Sequence, residues 1–170
     1  NDGSATLLTG THDLGTGSRT ILAQIAAEIL TIPPLDIEVI EADTDVTPLD
    51  LGAQASRTTY IGGNATILAA KELRDQLIEE ASRVLELPPG RLELEKGWVV
   101  DRENPDRRCS FIELVGSAQA GKHGGQRELL TTKTFESEDS VDSYVAVFCE
   151  VEVDSESGVV KPLSLLSVHN

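Results

Sequence analysis

The most constraining feature of this sequence is a long amphipathic stretch near its middle, which predicts one helix over residues 57–87. Pro88-Pro89-Gly90 follows directly and prevents its continuation. Gly62 and Gly63 near its start each weaken the helix by about 1 kcal/mol relative to alanine. Glycines there make sense if another element packs tightly on that backbone. The apolar residues at helical spacing are Ile61, Ala65, Leu68, Ala69, Leu73, Leu77, Ala81, Val84 and Leu85.

The segment before this helix predicts a strand–helix–strand unit. Short strands are expected at residues 5–8 and 35–40. Between them a helix starts at Ser18, with Ser18 or Thr20 as its cap, and Pro33-Pro34 prevents it from continuing. Its apolar face consists of Ile21, Leu22, Ile25, Ala26, Ile29 and Leu30. Each helix therefore has one face to bury against a neighbouring layer.

The rest of the chain is predicted to be rich in strands. A hairpin over residues 92–100 turns at Lys96-Gly97, and a capped helix occupies residues 110–119. The other predicted segments are a polar loop at 101–108, a glycine-rich turn at 120–125, and strands at 128–135, 144–153 and 159–168, the last two joined by a turn at 154–158. Alternation in the 144–153 strand predicts that one face, including Cys149, is buried. We therefore expect an α+β two-layer sandwich, with two main helices packed on a mixed β-sheet.

Composition indicates one domain of an acidic protein. The 170 residues, of which 39% are hydrophobic, suit a single domain over 1–170, which we expect to be truncated at both ends. A formal charge of −15 argues against nucleic acid and membrane surfaces as partners. No apolar run approaches the roughly 20 residues that cross a bilayer, and we expect a cytoplasmic location. Because Cys109, Cys149 and the histidines lack ligand spacing, no protein-ligated metal site is expected.

Two loops that open helices are candidate binding elements. The first, over residues 9–18, places glycines and small residues before the first helix. Free backbone N–H groups at a helix N-terminus favour an anion such as a phosphate. The glycine spacing fits neither the Walker nor the dinucleotide-binding pattern. Taken alone, this loop is compatible with either a structural turn or an anion site.

The second loop, over residues 43–59, offers hydroxyls, a side-chain amide, small residues and one arginine. That inventory suits a polar, phosphate-bearing heterocycle. Alternatively, Ser56 or Thr58 caps the long helix and Arg57 is solvated. Asp43 and Asp45 are predicted to form a turn and not a metal or acid/base pair. The two loops, each feeding a helix, could converge on one ligand.

The ordered combination of these segments resembles the molybdopterin-binding subunit family, which includes xanthine dehydrogenases, aldehyde oxidases and the large subunit of aerobic carbon monoxide dehydrogenase. The segments that carry the resemblance are residues 10–27, Asp43-Thr44-Asp45 with Pro48, residues 52–65, and the tail 144–154 with Gly158 and Val160. The resemblance covers nearly the whole chain, with residues 101–143 the least distinctive. It implies a fragment from the C-terminal half of such a subunit.

The resemblance also implies which residues line the cofactor, molybdopterin, with its cytosine dinucleotide form as an option. In the first loop the family usually has Gly-Gln-Gly, and Thr16 stands here in place of that glutamine. In the second loop the family has a turn of small and hydroxyl-bearing residues, which Ala55, Ser56 and Thr58 match. Arg57 beside them either adds a contact to the cofactor or points outward. The implied cofactor-binding residues are Leu14, Gly15, Thr16, Gly17, Ala55, Ser56, Arg57 and Thr58.

By the same resemblance, the parent enzyme hydroxylates an electron-poor carbon of a small N-heterocycle or aldehyde with oxygen from water. Its electrons would leave toward iron–sulfur and FAD partners, expected as separate subunits or domains because this chain has no four-cysteine pattern or flavin motif. The family's glutamate base lies beyond the end of this chain, so no catalytic residue is assigned here. We expect the isolated fragment to be inactive and to hold no cofactor tightly.

Two other classes of function stay open when the residues are considered alone. One is a non-catalytic, acidic α+β interaction domain whose glycine loops are only turns. The other is a phosphate-ligand-binding module unrelated to molybdenum.

Overall fold

The fold is described from a computed structural model, in which residues 3–137 and 142–169 are described. Contacts divide the chain into two units, Asn1–Glu136 and Ser137–Asn170. The helices are α1 (Ser18–Leu30), α2 (Gly63–Leu85) and α3 (Phe111–Ala120), with short helical turns at Pro34–Asp36, Thr58–Gly62 and Pro89–Arg91. The strands are β1 (Ala5–Thr9), β2 (Ile37–Glu41), β3 (Leu92–Glu95), β4 (Trp98–Asp101), β5 (Asn104–Ser110), β6 (Val145–Val153) and β7 (Val160–His169). Of these described helices, none is both long and apolar enough to traverse a bilayer.

The predicted α+β class is confirmed, but the strands form three separate sheets where one mixed sheet was expected. β1 and β2 pair in parallel, from Ala5 opposite Ile37 to Thr9 opposite Glu41. β3, β4 and β5 form an antiparallel sheet in that order, and β6 and β7 form an antiparallel hairpin. Periodicity predicts where strands occur, whereas hydrogen bonds between separate segments decide which strands share a sheet.

The two main helices pack closely against each other at Gly63, whereas Gly62 has only ordinary van der Waals neighbours. A Cβ added at Gly63 would lie 3.1 Å from Cδ1 of Ile25 in α1. At Gly62 it would lie 3.6 Å from Oγ1 of Thr11 and 3.8 Å from Leu22. The core is built mainly of aliphatic side chains, among them Ala23, Ala26, Ala27, Leu30, Ile37, Val39, Ala70, Leu77, Ala81, Leu92, Val99 and Leu114. Small alanines at this contact allow the helix backbones to approach each other.

A buried ionic cluster fastens α3 and the segment after it to α2. The carboxylate of Glu80 is fully buried and accepts hydrogen bonds from Ser117 at 2.8 Å and Arg127 at 2.6 Å. Arg83 donates a longer bond of 3.2 Å. Because the buried charge is paired and hydrogen-bonded, the cost of its desolvation is offset by these contacts.

The prediction of a loop at residues 101–108 is wrong for most of that segment. Asn104–Ser110 is β5, the edge strand beside β4, and most of its side chains are exposed. An edge strand tolerates both a polar sequence and Pro105, because one side of its backbone needs no strand partner. The guanidinium of Arg108 lies 4.5 Å from the ring centre of Trp98 on β4, a cation–π contact across the pair.

The strand predicted at residues 128–135 is also wrong, since this segment is irregular and is tied to α2. The amide of Gln76 donates to the carbonyl of Leu130 at 3.0 Å, and Lys133 forms an ion pair with Glu72. Near its end, Phe135 meets Tyr60 edge to face, with ring centroids 5.8 Å apart. Side chains of α2 thus supply the contacts of residues 128–135, which the sequence pattern alone would assign to a neighbouring strand.

The hairpin of β6 and β7 is confirmed as a pair of strands, and Gly158 with φ of 73° lies in its turn. The prediction that one face of β6 is buried is wrong, because side chains on both strands are exposed, including Cys149. Alternating apolar residues identify the apolar face of a strand, but they do not supply the layer that covers it.

Candidate functional site

The first predicted loop is closed by the side chain of Asp13. Its Oδ1 atom accepts hydrogen bonds from the backbone N–H of Gly15 at 2.8 Å and of Gly17 at 3.1 Å. Gly15 and Gly17 have φ of 94° and 77°, in the left-handed region that glycine adopts without strain. α1 then begins after Gly17 with no side-chain cap, so the predicted cap by Ser18 or Thr20 is wrong.

The electrostatics of this loop follow from those bonds. Desolvation works to raise the pKa of Asp13, but hydrogen bonds from the backbone N–H groups of Gly17, Gly15, Thr16 and Arg19 outweigh it and lower that pKa. The expectation of free N–H groups at this helix start therefore needs correction. The anion that the turn binds first is the chain's own carboxylate, because Asp13 lies two residues before Gly15 and can fold back on it.

The first loop has exposed residues and one buried hydroxyl without a hydrogen-bond partner among the described residues. Leu14 is 60% exposed, and Gly15 and Thr16 are exposed as well. Ser18 is only 3% exposed, yet its Oγ has no hydrogen-bond partner within the described residues. A buried hydroxyl without a partner is costly. It offers a donor or acceptor to a group that binds at the start of α1.

The second loop is closed by an ion pair. Oδ1 of Asp50 accepts hydrogen bonds from the Gly52 N–H at 2.7 Å and from Nη1 of Arg57 at 2.9 Å. Nη1 of Arg57 also donates to the carbonyl of Gly52 at 3.2 Å. Between them, Ala55 and Ser56 are exposed and have φ of 47° and 55°. Adjacent non-glycine residues in this region are strained, and such strain is found at binding turns that their surroundings hold in place.

The two loops are in contact at what we call their bases, Gly10 in the first loop and Pro48 with Asp50 in the second. A Cβ added at Gly10, at the start of the first loop, would lie 2.2 Å from the carbonyl oxygen of Pro48 and 2.7 Å from Cβ of Asp50. Only a glycine fits there. The structure thus brings the start of the first loop against residues 48–50 of the second, while a Cβ added at Gly15 meets nothing within 4 Å. That the turns at Gly15 and Ser56 face one shared hollow stays a prediction.

The prediction that Asp43 and Asp45 form a turn is confirmed. Oδ1 of Asp43 accepts from the N–H of Asp45 at 3.0 Å, and its carbonyl accepts from the N–H of Thr47 at 2.7 Å. No group of three or more His, Cys, Asp or Glu side chains suited to a metal ion occurs in the part of the chain that the structure describes. The hydrogen bonds that Asp43 accepts from Asp45 and Thr47 hold the backbone of the loop in this turn.

Sequence reasoning missed Asp13, Asp50 and the buried Ser18 as parts of the site. A local signal for the first two is present, because the tripeptide Asp-Leu-Gly occurs at both Asp13-Leu14-Gly15 and Asp50-Leu51-Gly52. In each, the aspartate accepts a hydrogen bond from the glycine N–H two residues later. No sequence signal marks Ser18, because its burial depends on tertiary packing.

A shallow cavity of about 310 Å³ lies elsewhere in the first unit and is not part of this site. Among the residues that line it are Asp36, Lys96, Trp98, Ser110 and Ile112. None of the predicted cofactor-binding residues lines this cavity. Those predicted residues lie instead on the two turns that precede helices.

Comparison with known proteins places this arrangement in a family. Residues 1–170 match the family model described as molybdopterin cofactor-binding domain. The chain is 33% identical over 161 residues to the probable hypoxanthine oxidase of Escherichia coli strain K12, covering 95% of this chain and 16% of that protein. It is 32% identical over 164 residues to the carbon monoxide dehydrogenase large chain of Afipia carboxidovorans, covering 94% of this chain and 20% of the relative.

A solved structure supports the same placement. The quinoline 2-oxidoreductase from Pseudomonas putida 86 superposes with a TM-score of 0.85 and 29% identity, over 96% of this chain and 21% of that chain. The chain thus spans no more than 21% of these three relatives. An unrelated interaction domain or phosphate-binding module is not favoured by these matches. Because the family model covers all of its residues, the chain belongs to the molybdopterin cofactor-binding domain family.

Proposed function

We propose that this chain holds one side of the molybdopterin cofactor in a larger molybdenum hydroxylase, through the turns at Gly15 and Ser56. The observation that carries the proposal is the contact between the loop bases, where Gly10 lies against Pro48 and Asp50. This contact joins the two loops at their bases, which supports a shared site for the two turns. Each turn precedes a helix and is closed by an aspartate.

The residues of the two turns fit a polar cofactor with a phosphate. Hydroxyls are available at Thr16, Ser56 and Thr58, and Ser18, two residues after Thr16, has a buried Oγ without a hydrogen-bond partner among the described residues. The exposed Leu14 offers apolar contact to a ring. Since Asp13 already uses the N–H groups of Gly15 and Gly17, an added phosphate would be bound mainly by hydroxyls and other amides.

When bound, molybdopterin supplies the redox-active molybdenum at which a substrate carbon is hydroxylated with oxygen from water. The contribution proposed for this chain is to bind and orient the cofactor. The proposed substrate class of the parent enzyme is a small N-heterocycle or aldehyde. The catalytic glutamate is proposed to lie outside this chain, so the isolated fragment is proposed to be inactive.

The proposed context is a cytoplasmic enzyme of several subunits or domains. The relative from Afipia carboxidovorans is named as a large chain, which points to further chains in that enzyme. We propose iron–sulfur and FAD subunits or domains as the partners here, because the electrons must leave the molybdenum through other carriers. We further propose that 1–170 is part of a single cofactor-binding domain.

The proposal is tested by measuring molybdenum and pterin in the full-length protein carrying Gly15→Val or Ser56→Leu. Both variants are expected to lose most of the cofactor while the protein stays folded. Gly125→Val is a matched control for the first, because Gly125 has φ of 93° against 94° at Gly15, and both have open space. Glu86→Leu, at φ of 52° and exposed, matches Ser56. Full occupancy in both test variants would show that the site lies elsewhere.

A further inference from the structure

The ion pair between Asp50 and Arg57 closes the second half of the second loop, from residue 50 to residue 57. Both side chains are largely withdrawn from solvent, with 16% and 21% of their surface exposed. One carboxylate oxygen accepts from both Gly52 and Arg57, and one guanidinium nitrogen donates to both Asp50 and Gly52. The three groups therefore form a closed hydrogen-bonded set, which is stronger than an exposed pair of the same charges.

The backbone that this set encloses includes a tight turn over residues 54–57, which is closed by a hydrogen bond from the Arg57 N–H to the Gln54 carbonyl at 3.0 Å. Gly52, Ala55 and Ser56 all have positive φ, of 89°, 47° and 55°. The last two are not glycines, and their side chains are exposed, so packing of those side chains does not hold the turn. A strained turn persists only where its surroundings determine it. The bond between Gln54 and Arg57 closes the turn locally, and the hydrogen bonds between Asp50, Gly52 and Arg57 tie it to the preceding part of the loop.

Asp50 is also in contact with the first loop. Its Cβ and backbone N would lie 2.7 and 3.0 Å from a Cβ added at Gly10. Asp50 is therefore at the joint between the loops, whereas Arg57 leads directly into the helical segment that starts at Thr58.

We infer that Asp50 and Arg57 are a positioning pair that holds the turn at Ala55 and Ser56 in the conformation that contacts the cofactor. This inference rests on the proposed function, because it takes the turn as one side of the cofactor site. It changes the role expected of Arg57, whose guanidinium is used within the loop. The pair acts through Ser56 and its neighbours without itself being required to touch the cofactor.

The test uses the full-length protein and two measurements, amide hydrogen exchange of residues 52–58 and cofactor content. Asp50→Ala removes both hydrogen bonds of the carboxylate and is expected to speed exchange about tenfold and lower occupancy. Asp50→Asn keeps an oxygen for the Gly52 N–H but loses the charge, so it should recover part of both losses. Arg57→Lys should likewise be milder than Arg57→Ala. This graded rescue distinguishes positioning from general damage to the fold.

Two further variants complete the design. The double variant Asp50→Ala with Arg57→Ala should exchange no faster than about the worse single variant, since both changes break one set of bonds. Asp75→Ala is the control, because it breaks the exposed Arg74–Asp75 pair of 2.8 Å on α2 and should leave the loop unchanged.

The outcomes separate this inference from the proposed function. Unchanged exchange at residues 52–58 in Asp50→Ala overturns the positioning role, whatever Ser56→Leu does to cofactor content. Faster exchange with full cofactor in both Asp50→Ala and Ser56→Leu overturns the proposed site, and the role toward the cofactor with it. Faster exchange, lower occupancy and rescue by Asp50→Asn support the inference.

Discussion

Replacing Gly10 by alanine tests the contact between the two loops most directly. The added Cβ would lie 2.2 Å from the Pro48 carbonyl oxygen, 2.7 Å from Cβ of Asp50 and 3.0 Å from the Asp50 nitrogen. Two of these atoms belong to the backbone, so no side-chain rotation can relieve the overlap. Gly10 is not among the residues with positive φ, and strain within its own backbone therefore does not complicate the result.

The size of the effect follows from the overlap. Non-bonded carbon and oxygen atoms need a separation about 1 Å greater than 2.2 Å, so one loop must move relative to the other. Forcing extra atoms into a packed site costs about 1–3 kcal/mol. Because the obstacle at Gly10 is backbone, we expect the upper end, about 3 kcal/mol or roughly 150-fold in the unfolding equilibrium.

Urea denaturation of the chain, monitored by circular dichroism, measures this loss as a fall in the free energy of unfolding. Gly116→Ala is the matched control, since Gly116 lies inside α3 with open space around its added Cβ. That control should be more stable than the parent sequence by about 0.5–1 kcal/mol. If Gly10→Ala changed stability by less than about 0.5 kcal/mol, the two loop bases would not be in contact and the reasoning would fail.

Three further predictions test other parts of the structure. Gly62→Ala should raise the free energy of unfolding by about 0.5–1 kcal/mol in urea denaturation. The added Cβ would lie 3.6 Å from Oγ1 of Thr11, an ordinary van der Waals contact, so destabilisation would contradict this prediction. Arg127→Ala should lower the free energy of unfolding by about 3 kcal/mol in the same assay, because buried Glu80 loses one of its positively charged partners. Arg74→Ala, which breaks an exposed ion pair, should lower it by less than about 1 kcal/mol. The pKa of Asp13 in the folded protein is lower than its ordinary value of 3.8, so the ionised carboxylate stabilises the turn at pH values above 3.8. That stabilisation is lost as the pH falls through the lower pKa of the folded state. The Gly15 and Gly17 amides should therefore lose protection from hydrogen exchange at acid pH, beyond the intrinsic pH dependence of exchange. Asp13→Asn should abolish that extra loss. An equal loss of protection in the parent and the variant would refute this prediction.

The candidate site was only partly predictable from sequence. The two loops and their positions before helices follow from glycines, small residues and the helical periods that begin after them. The closing roles of Asp13 and Asp50 depend on which acceptor the loop amides find, and a phosphate or a nearby carboxylate satisfies them equally well. The burial of Ser18 depends on the packing of α1 in the folded chain.

Sequence alone determined the elements whose causes are local. The helical periods predict α1 and α2, Lys96-Gly97 with φ of 49° and 83° forms the hairpin turn, and Ser110 with Glu113 forms the capping box of α3. Only the tertiary structure decided that residues 104–110 form a strand, that 128–135 is tied to α2, and that the strands divide into three sheets. The physical reason is that a turn or a helix satisfies its hydrogen bonds within a few residues, whereas a strand, an irregular segment or a binding loop takes its partners from distant parts of the chain.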